Sequence, residues 1–303
     1  METSTDYDRS KELKTFDDTK AASKGSSMPS EDVPSAKLDE DYGDSFQVPV
    51  IDLKDVLDPA EHEDIIEKMR LASEKWGFFQ VINHGIPQDV MNKVSGCVQS
   101  FHEQPGEVKM KFYSQALIEY SENVQSLGRI LFGLLSEALG LNPSHFTDMG
   151  CMEGHSFVCH YYPACPEPDR TIEHAKHCDP DFITILLQYQ TGLQVLHQDH
   201  WIDINPLEGA LKVNIGDLLQ LILNDKLRSS EHRVLDKCEG PRISVACFFT
   251  AHFQASNRLY GLIKELLSAD NPPLYKLTLI KDYLNSFSIK DYNDSALAFL
   301  RLK

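Results

Sequence analysis

The chain has 303 residues, 42% of them hydrophobic and 25% charged, a composition typical of a globular protein with a sizeable core. The formal net charge of −17 would repel nucleic-acid phosphates and anionic lipid, so we expect neither nucleic acid nor a membrane as a partner. Seven cysteines without a C-x-x-C pair and an N-terminus without an apolar stretch favour a cytoplasmic protein with free thiols.

Residues 1–47 predict a polar, mobile leader, because they are rich in charged and small residues and poor in large apolar ones. From Val48 the pattern becomes that of a folded domain. Apolar spacing predicts a strand, a helix, a second strand and a second helix, in the segments "VPVIDL", "PAEHEDIIEKMRLASEKW", "GFFQVINHGI" and "PQDVMNKVSGCVQSFHEQ".

A third, longer helix is predicted to start near Ala116 and to end at Gly140. One stripe of this helix is apolar and is expected to pack in the core, namely Leu127, Ile130, Leu131, Leu134, Leu135 and Ala138. Residues 48–150 therefore form a helical N-terminal region.

After residue 150 the sequence changes to short β-type segments separated by turns. We predict eight strands, in "SFVCHYY", "FITILLQY", "LQVLHQ", "HWIDI", "ALKVNI", "LLQLIL", "EHRVL" and "RISVACFF". Such strands at close spacing suggest a sandwich, barrel or jelly roll. The expected fold class is α+β, with a jelly roll in residues 151–303, including a C-terminal extension, braced by the N-terminal helices.

The pattern His-x-Asp, a possible part of a metal site, occurs three times. His62 and Asp64 lie within a predicted helix, where residues two apart point about 200° away from each other and cannot bind one ion. His197 and Asp199, followed by His200, fall where one short strand must turn into the next. We expect that cluster to be an exposed hairpin tip.

The third pair, His177 and Asp179, lies in a strand or its entry, where residues i and i+2 project from the same face. His232, at the start of a later β-type segment, is the best candidate for a third ligand. Two histidines and one carboxylate form the facial triad of non-haem Fe(II) oxygenases, although zinc would accept the same ligands.

A second pair of polar residues shares one face of an apolar strand. Arg242 and Ser244 begin "RISVACFF", and a guanidinium beside a hydroxyl is well matched to a carboxylate. The alternative is an internal salt bridge. A similar pair, Arg228 and Ser230, lies in the polar stretch "NDKLRSSE" and is expected to be a loop.

Together, these motifs resemble the signature of plant 2-oxoglutarate- and Fe(II)-dependent dioxygenases. The similarity extends along nearly the whole chain from Ser10 and is carried by "WGFFQVINHGIP", "CHYYPACPEPD", "NIGDLLQLILNDKLRSSEHRVL" and "GPRISVACFF". The segments "LKTFDDTKAASKG", "HYYPACPEP" and "YGLIKELLSADNPP" resemble one subgroup, the 1-aminocyclopropane-1-carboxylate oxidase homologs.

The resemblance implies a double-stranded β-helix core, and it implies Fe(II) bound by His177, Asp179 and His232. It also implies 2-oxoglutarate bound through its 5-carboxylate by Arg242, Ser244 and Tyr162, and no catalytic residue beyond the metal ligands. The expected reaction hydroxylates or demethylates a small specialised metabolite with O2, releasing succinate and CO2, with ascorbate as an optional reductant. We expect a monomer, and we expect His160 and His84 to be structural.

The chain departs from the family pattern next to Gln115. Related proteins carry a substantial extra segment between "KFYS" and "LIEYS", which helps to close the substrate pocket in similar enzymes. One alternative is therefore a truncated, catalytically weak relative that still binds iron and 2-oxoglutarate. A second alternative is an ethylene-forming oxidase that uses ascorbate instead of 2-oxoglutarate.

Overall fold

The structure is a computed structural model that describes residues 47–104, 115–166, 168, 172–251, 257–289 and 295–302. Apart from Gln47, the predicted leader lies outside the described residues. The segment 105–114, which immediately precedes the departure from the family pattern at Gln115, lies outside them as well.

Six α-helices occur in the described parts of the chain. They are α1 (Pro59–Lys75), α2 (Gln88–Glu103), α3 (Gln115–Ala138), α4 (His145–Asp148), α5 (Asp217–Ile222) and α6 (Ile280–Ile289). Helix α1 begins as its sequence predicts, because Asp58 caps the backbone N–H of Ala60 and Pro59 occupies the first turn. Short 3₁₀ helices span Lys264–Leu266 and Ala296–Leu300.

The strands form two larger sheets and one small pair. The strands are β1 (Val50–Asp52), β2 (Phe78–Ile82), β3 (Gly154–Tyr162), β4 (Ile172–His177), β5 (Ile183–Gln188), β6 (Leu193–His197), β7 (His200–Asp203), β8 (Leu211–Ile215), β9 (His232–Leu235), β10 (Arg242–Thr250), β11 (Leu259–Tyr260) and β12 (Thr278–Leu279). The larger sheet has the order β1-β2-β8-β5-β10-β3, the smaller β4-β9-β6-β7, and β11 pairs with β12. This combination of helices and mainly antiparallel sheets is the predicted α+β class.

The two faces of the six-stranded sheet carry different chemistry. On its outer face, the alternate apolar residues of β5, β8 and β10 pack against helices α1 to α3 in one continuous core. The packing is close: a Cβ added at Gly128 of α3 would lie 2.4 Å from Cζ of Phe249, so only glycine fits there. The inner face, turned toward the four-stranded sheet, carries most of the buried polar residues of these strands.

Two predictions about secondary structure and burial are wrong. "LLQLIL" is not a strand but lies largely in helix α5, because the chain turns at Gly216 and a short run of apolar residues fits a buried helix as well as a strand. Ile130, assigned to the core stripe of α3, is 43% exposed, whereas its neighbour Leu131 is fully buried. Strand β4, which was not among the eight predicted, contains His177.

The seven cysteines are all free thiols, as their spacing predicted. Within the described ranges, no helix has both the length and the apolar character of a membrane span.

The burial difference between two adjacent residues of α3 gives a matched test of the core. Leu131→Ala should lower the free energy of unfolding by about 2–5 kcal/mol, because it leaves a cavity between the helix and the sheet. Ile130→Ala should lower it by less than about 1 kcal/mol, because that side chain is partly solvated already. Urea denaturation of both variants measures the difference, and equal losses would contradict the described packing.

Candidate metal centre and binding cavity

Strands β4 and β9 bring two histidines together from distant parts of the sequence. In their antiparallel pairing His177 lies directly opposite His232, and the two ring centroids are 4.2 Å apart. Asp179 follows two residues after His177, at the start of the turn into β5. One ligand atom from each of the three side chains lies within 4.8 Å of the other two, so a single metal ion can contact all three.

Backbone contacts orient both imidazoles toward the same point. Nδ1 of His177 lies 2.8 Å from the carbonyl oxygen of Ala175, and Nδ1 of His232 lies 3.2 Å from that of Ser230. A carbonyl oxygen can only accept, so each Nδ1 carries the proton and each Nε2 presents its lone pair. Both Nε2 atoms are 3.5 Å from Oδ1 of Asp179. This tautomer is the one that a metal ligand requires.

The other oxygen of the aspartate is held by the six-stranded sheet. Oδ2 of Asp179 accepts a hydrogen bond from the Thr184 hydroxyl at 2.6 Å and one from Nδ2 of Asn214 at 2.8 Å. The turn itself is packed against Gly216, where an added Cβ would lie 2.2 Å from the carbonyl oxygen of Asp181. These contacts fix Oδ1 in the direction of the two histidines.

The charges of the three groups support binding of a cation. Burial raises the pKa of the Asp179 carboxyl, but attraction to His232 and His177 in their protonated forms outweighs this effect and holds it well below its usual value. The same attraction to Asp179 outweighs burial at His232 and raises the pKa of that imidazole, so a cation bound here takes the place of a proton between these groups. Burial and the neighbouring His232 lower the pKa of His177. An ionised carboxylate and two imidazoles that leave other coordination positions open suit Fe(II), so the residues fit the metal that the family resemblance implies.

An open cavity lies between the two sheets and includes the three candidate ligands in its wall; its empty space, open solvent included, is about 520 Å³. The other polar residues on the wall include the predicted cosubstrate-binding set, Arg242, Ser244 and Tyr162. Apolar side chains from both sheets complete it, among them Phe78, Leu186, Leu193, Val234 and Phe248.

Arg242 lies at the start of β10, opposite Tyr162 of β3. Its guanidinium is buried and donates to two neutral groups, Oε1 of Gln188 at 2.6 Å and Oγ of Ser244 at 3.4 Å. The guanidinium carbon is 5.2 Å from the centre of the Tyr162 ring. Arg242, Ser244 and Tyr162 therefore converge on one end of the cavity, where they can bind a carboxylate.

His160, which was expected to be structural, lies on the cavity wall. It stacks on Tyr162 with a centroid distance of 5.5 Å, and its buried Nδ1 has no hydrogen-bond partner among the described residues. Burial, followed by the nearby charges of His174 and Arg242, lowers the pKa of His160 to about 4, so the ring is neutral. The sequence signal was its two-residue spacing from Tyr162, which puts both side chains on one strand face.

Asn214 and Lys212 were also missed by the sequence analysis. They alternate with apolar residues in "ALKVNI", as Arg242 and Ser244 do in "RISVACFF", and both point from β8 to the inner face of the sheet. Polar residues two apart in an apolar strand were therefore a signal here too.

The remaining histidine motifs do not form metal sites in the described structure. His197 and His200 flank a two-residue hairpin turn, as predicted, but His197 is buried and stacks on Trp76 at a centroid distance of 3.8 Å. His62 contacts Glu137 and so connects α1 to α3. His84 lies 2.9 Å from the carbonyl oxygen of Gly209, in the structural role expected for it.

Comparison with known proteins identifies the family. The model of the 2OG-Fe(II) oxygenase superfamily matches residues 153–251, and that of the non-haem dioxygenase in morphine synthesis N-terminal region matches residues 48–130. The chain is 44% identical over 354 aligned positions to 1-aminocyclopropane-1-carboxylate oxidase homolog 1 of Arabidopsis thaliana, covering 97% of each protein. The chain belongs to the 2OG-Fe(II) oxygenase superfamily.

Other comparisons agree with this assignment. The oxygenase is 41% identical to deacetoxyvindoline 4-hydroxylase of Catharanthus roseus, covering 94% of this chain and 87% of that protein. A crystal structure of JOX2 in complex with 2OG, Fe and JA superposes with a TM-score of 0.75 at 25% identity, covering 96% of this chain and 97% of JOX2. Dioxygenase for auxin oxidation from rice shares the fold, with a TM-score of 0.74 at 22% identity over 84% of this chain and 100% of that one.

These likenesses confirm the predicted jelly-roll fold and, of the expected cofactors, Fe(II) and 2-oxoglutarate. The protein is an oxygenase with Fe(II) as its cofactor and 2-oxoglutarate as its cosubstrate.

The geometry of the three candidate ligands predicts which substitution weakens metal binding. His232→Ala should weaken binding of Fe(II), or of Mn(II) as an air-stable substitute, by about a hundredfold or more, because one of three protein ligands is removed. His200→Ala is the matched control, because that histidine is exposed at the hairpin tip and should leave the affinity unchanged. Metal titration followed by calorimetry measures both affinities, and an equal effect of the two substitutions would place the metal elsewhere.

Proposed function

We propose that the protein hydroxylates or demethylates a small specialised metabolite, coupling this oxidation to conversion of 2-oxoglutarate and O2 into succinate and CO2. One observation carries the proposal. The wall of a single cavity contains both the possible metal ligands, His177, Asp179 and His232, and the buried guanidinium of Arg242. Relatives at 41–44% identity include deacetoxyvindoline 4-hydroxylase, whose name gives a hydroxylation of a small molecule and so supports the reaction class.

In this proposal the three candidate ligands hold Fe(II), which together with 2-oxoglutarate supplies the oxidising chemistry. Asp179 neutralises part of the metal charge, and Thr184 and Asn214 hold its second oxygen so that Oδ1 faces the ion. The Nε2 atoms of His177 and His232 would supply the two other protein ligands. Three protein ligands would leave coordination positions of the ion open.

The cosubstrate is oriented by the other end of the cavity. Arg242 and Ser244 bind the 5-carboxylate of 2-oxoglutarate through charge-assisted hydrogen bonds, and the Tyr162 hydroxyl adds a third. Arg242 already donates to Gln188, which fixes the guanidinium before the cosubstrate arrives. This preorganisation reduces the entropy lost on binding.

The remaining apolar wall excludes water from the reacting centre and accepts the substrate. The free thiols support the cytoplasmic location predicted from the sequence. Ascorbate remains proposed as a reductant that keeps the iron in its Fe(II) state.

Turnover tests the proposal directly. The purified full chain, supplied with Fe(II), 2-oxoglutarate and O2, should release succinate when a suitable small metabolite is added, deacetoxyvindoline being the first probe, with one oxidised product formed per succinate. Asp179→Ala should abolish both products, because the ion loses its only carboxylate ligand in the cluster. Mass spectrometry of the substrate and a succinate assay give the two readouts.

A second candidate function, a catalytically weak relative, is favoured by the length of the chain. The alignment with homolog 1 of Arabidopsis spans 354 positions although this chain has 303 residues, so that relative contains residues without counterpart here. Succinate release that no substrate stimulates would favour this candidate.

The ethylene-forming alternative has its own test. Ethylene formation from 1-aminocyclopropane-1-carboxylate that requires ascorbate and not 2-oxoglutarate would favour it. Either result contradicts the proposed oxidation.

The carboxylate-binding role of Arg242 can be separated from a general charge effect. Arg242→Met should raise the KM for 2-oxoglutarate by about tenfold to a hundredfold, because a buried charge-assisted contact is lost. Arg228→Met is the matched control, because Arg228 begins the other Arg-x-Ser pair but is exposed. Steady-state kinetics measure both values. A normal KM in the Arg242 variant would remove this residue from the proposed site.

A further inference from the structure

Strand β8 carries a lysine in an unusual environment. Lys212 is fully buried, and it projects from the same strand face as Asn214, which lies on the cavity wall. Its neighbours across the sheet are Gln80 on β2 and Leu186 on β5. A lysine is almost never fully buried unless it is paired with a group of opposite charge.

Within the described residues, Lys212 has a neutral partner and a cationic neighbour. Its Nζ donates to the backbone carbonyl oxygen of Gln188 at 3.1 Å, and the side chain of the same Gln188 accepts from Arg242. Lys212 forms no salt bridge with a described carboxylate. Burial and, next, the charge of Arg242 lower the pKa of the Lys212 ammonium to about 8. Two cationic side chains therefore donate to the same glutamine, one to its backbone oxygen and one to its side-chain oxygen.

We propose that Lys212 adds a second positive charge, besides that of Arg242, to the subsite that receives the distal carboxylate of 2-oxoglutarate. The inference rests on the proposed function, because it assumes that Arg242 binds this carboxylate. Lys212 acts as a positioning residue: it holds the Gln188 backbone and attracts the anion through the low-dielectric interior. The physical consequence is selectivity for 2-oxo acids with a second carboxylate over those without one.

A purely structural role makes a different prediction. The pairing of β8 with β5 ends at Lys212 and Leu186, so no backbone N–H of β8 reaches the carbonyl oxygen of Gln188. The Lys212 ammonium donates to this oxygen instead. If this hydrogen bond were the whole role, a neutral donor of similar length would replace the lysine without loss. Lys212→Gln provides that donor, whereas Lys212→Met removes both the charge and the donor.

The test measures binding without turnover. The full chain loaded with Mn(II) is titrated by calorimetry with 2-oxoglutarate and with 2-oxobutyrate, which lacks the distal carboxylate. Both Lys212→Met and Lys212→Gln should raise the Kd for 2-oxoglutarate by about tenfold and leave that for 2-oxobutyrate within about twofold. Lys93→Met, which removes an exposed lysine of α2, should change neither value.

Three results would overturn the inference: normal 2-oxoglutarate affinity in both variants, recovery by glutamine alone, or equal weakening for both ligands. Failure of the unmodified protein to bind 2-oxoglutarate would contradict the proposed function itself and, with it, this inference.

A second measurement uses the unmodified protein at pH 8. Binding of 2-oxoglutarate should cause proton uptake, because an arriving carboxylate favours the charged lysine. Calorimetry in two buffers of different ionisation enthalpy measures the number of protons taken up. Equal proton uptake with 2-oxobutyrate would contradict the inference even if neither variant folds.

Discussion

The site depends on one buried carboxylate, that of Asp179, which lies between two imidazoles. A buried charge is costly unless it is hydrogen-bonded or paired with a cation: Oδ2 accepts from Thr184 and Asn214, and Oδ1 faces the Nε2 atoms of His177 and His232, where a shared cation would compensate it. The imidazoles belong to the four-stranded sheet, whereas the hydroxyl and the amide belong to the six-stranded sheet. The carboxylate therefore links the two sheets at the candidate metal centre.

The separation of the two faces of the six-stranded sheet explains how the fold supports this site. Helices α1 to α3 cover the outer face and bury its apolar residues, which provides stability without using the inner face. The inner face is then free to carry polar groups that would otherwise weaken a core. Strand β10 serves both purposes, since Phe249 packs under the helices while Arg242 and Ser244 face the cavity.

The cavity is also electrically asymmetric. One end contains the ionised Asp179 of the candidate metal centre, and the other contains the guanidinium of Arg242; Arg242 and the Lys212 ammonium both donate to Gln188. A 2-oxo dicarboxylic acid has a chelating end and a distal anionic end, so the asymmetry matches the polarity of the cosubstrate. His160, whose lowered pKa keeps it neutral, and Tyr162 line the space near the cationic end.

The sequence by itself determined the α+β class and most strands, and it predicted His177 with Asp179, and Arg242 with Ser244, as candidate site residues, because spacing of two in a strand puts side chains on one face whatever the tertiary contacts. It did not distinguish helix α5 from a strand, since six apolar residues fit both when fully buried. Only the tertiary structure placed His232 opposite His177, because strand register depends on partners far apart in sequence. It also decided the places of His160 and Lys212, because a buried polar residue acquires its role from the neighbours that folding brings to it.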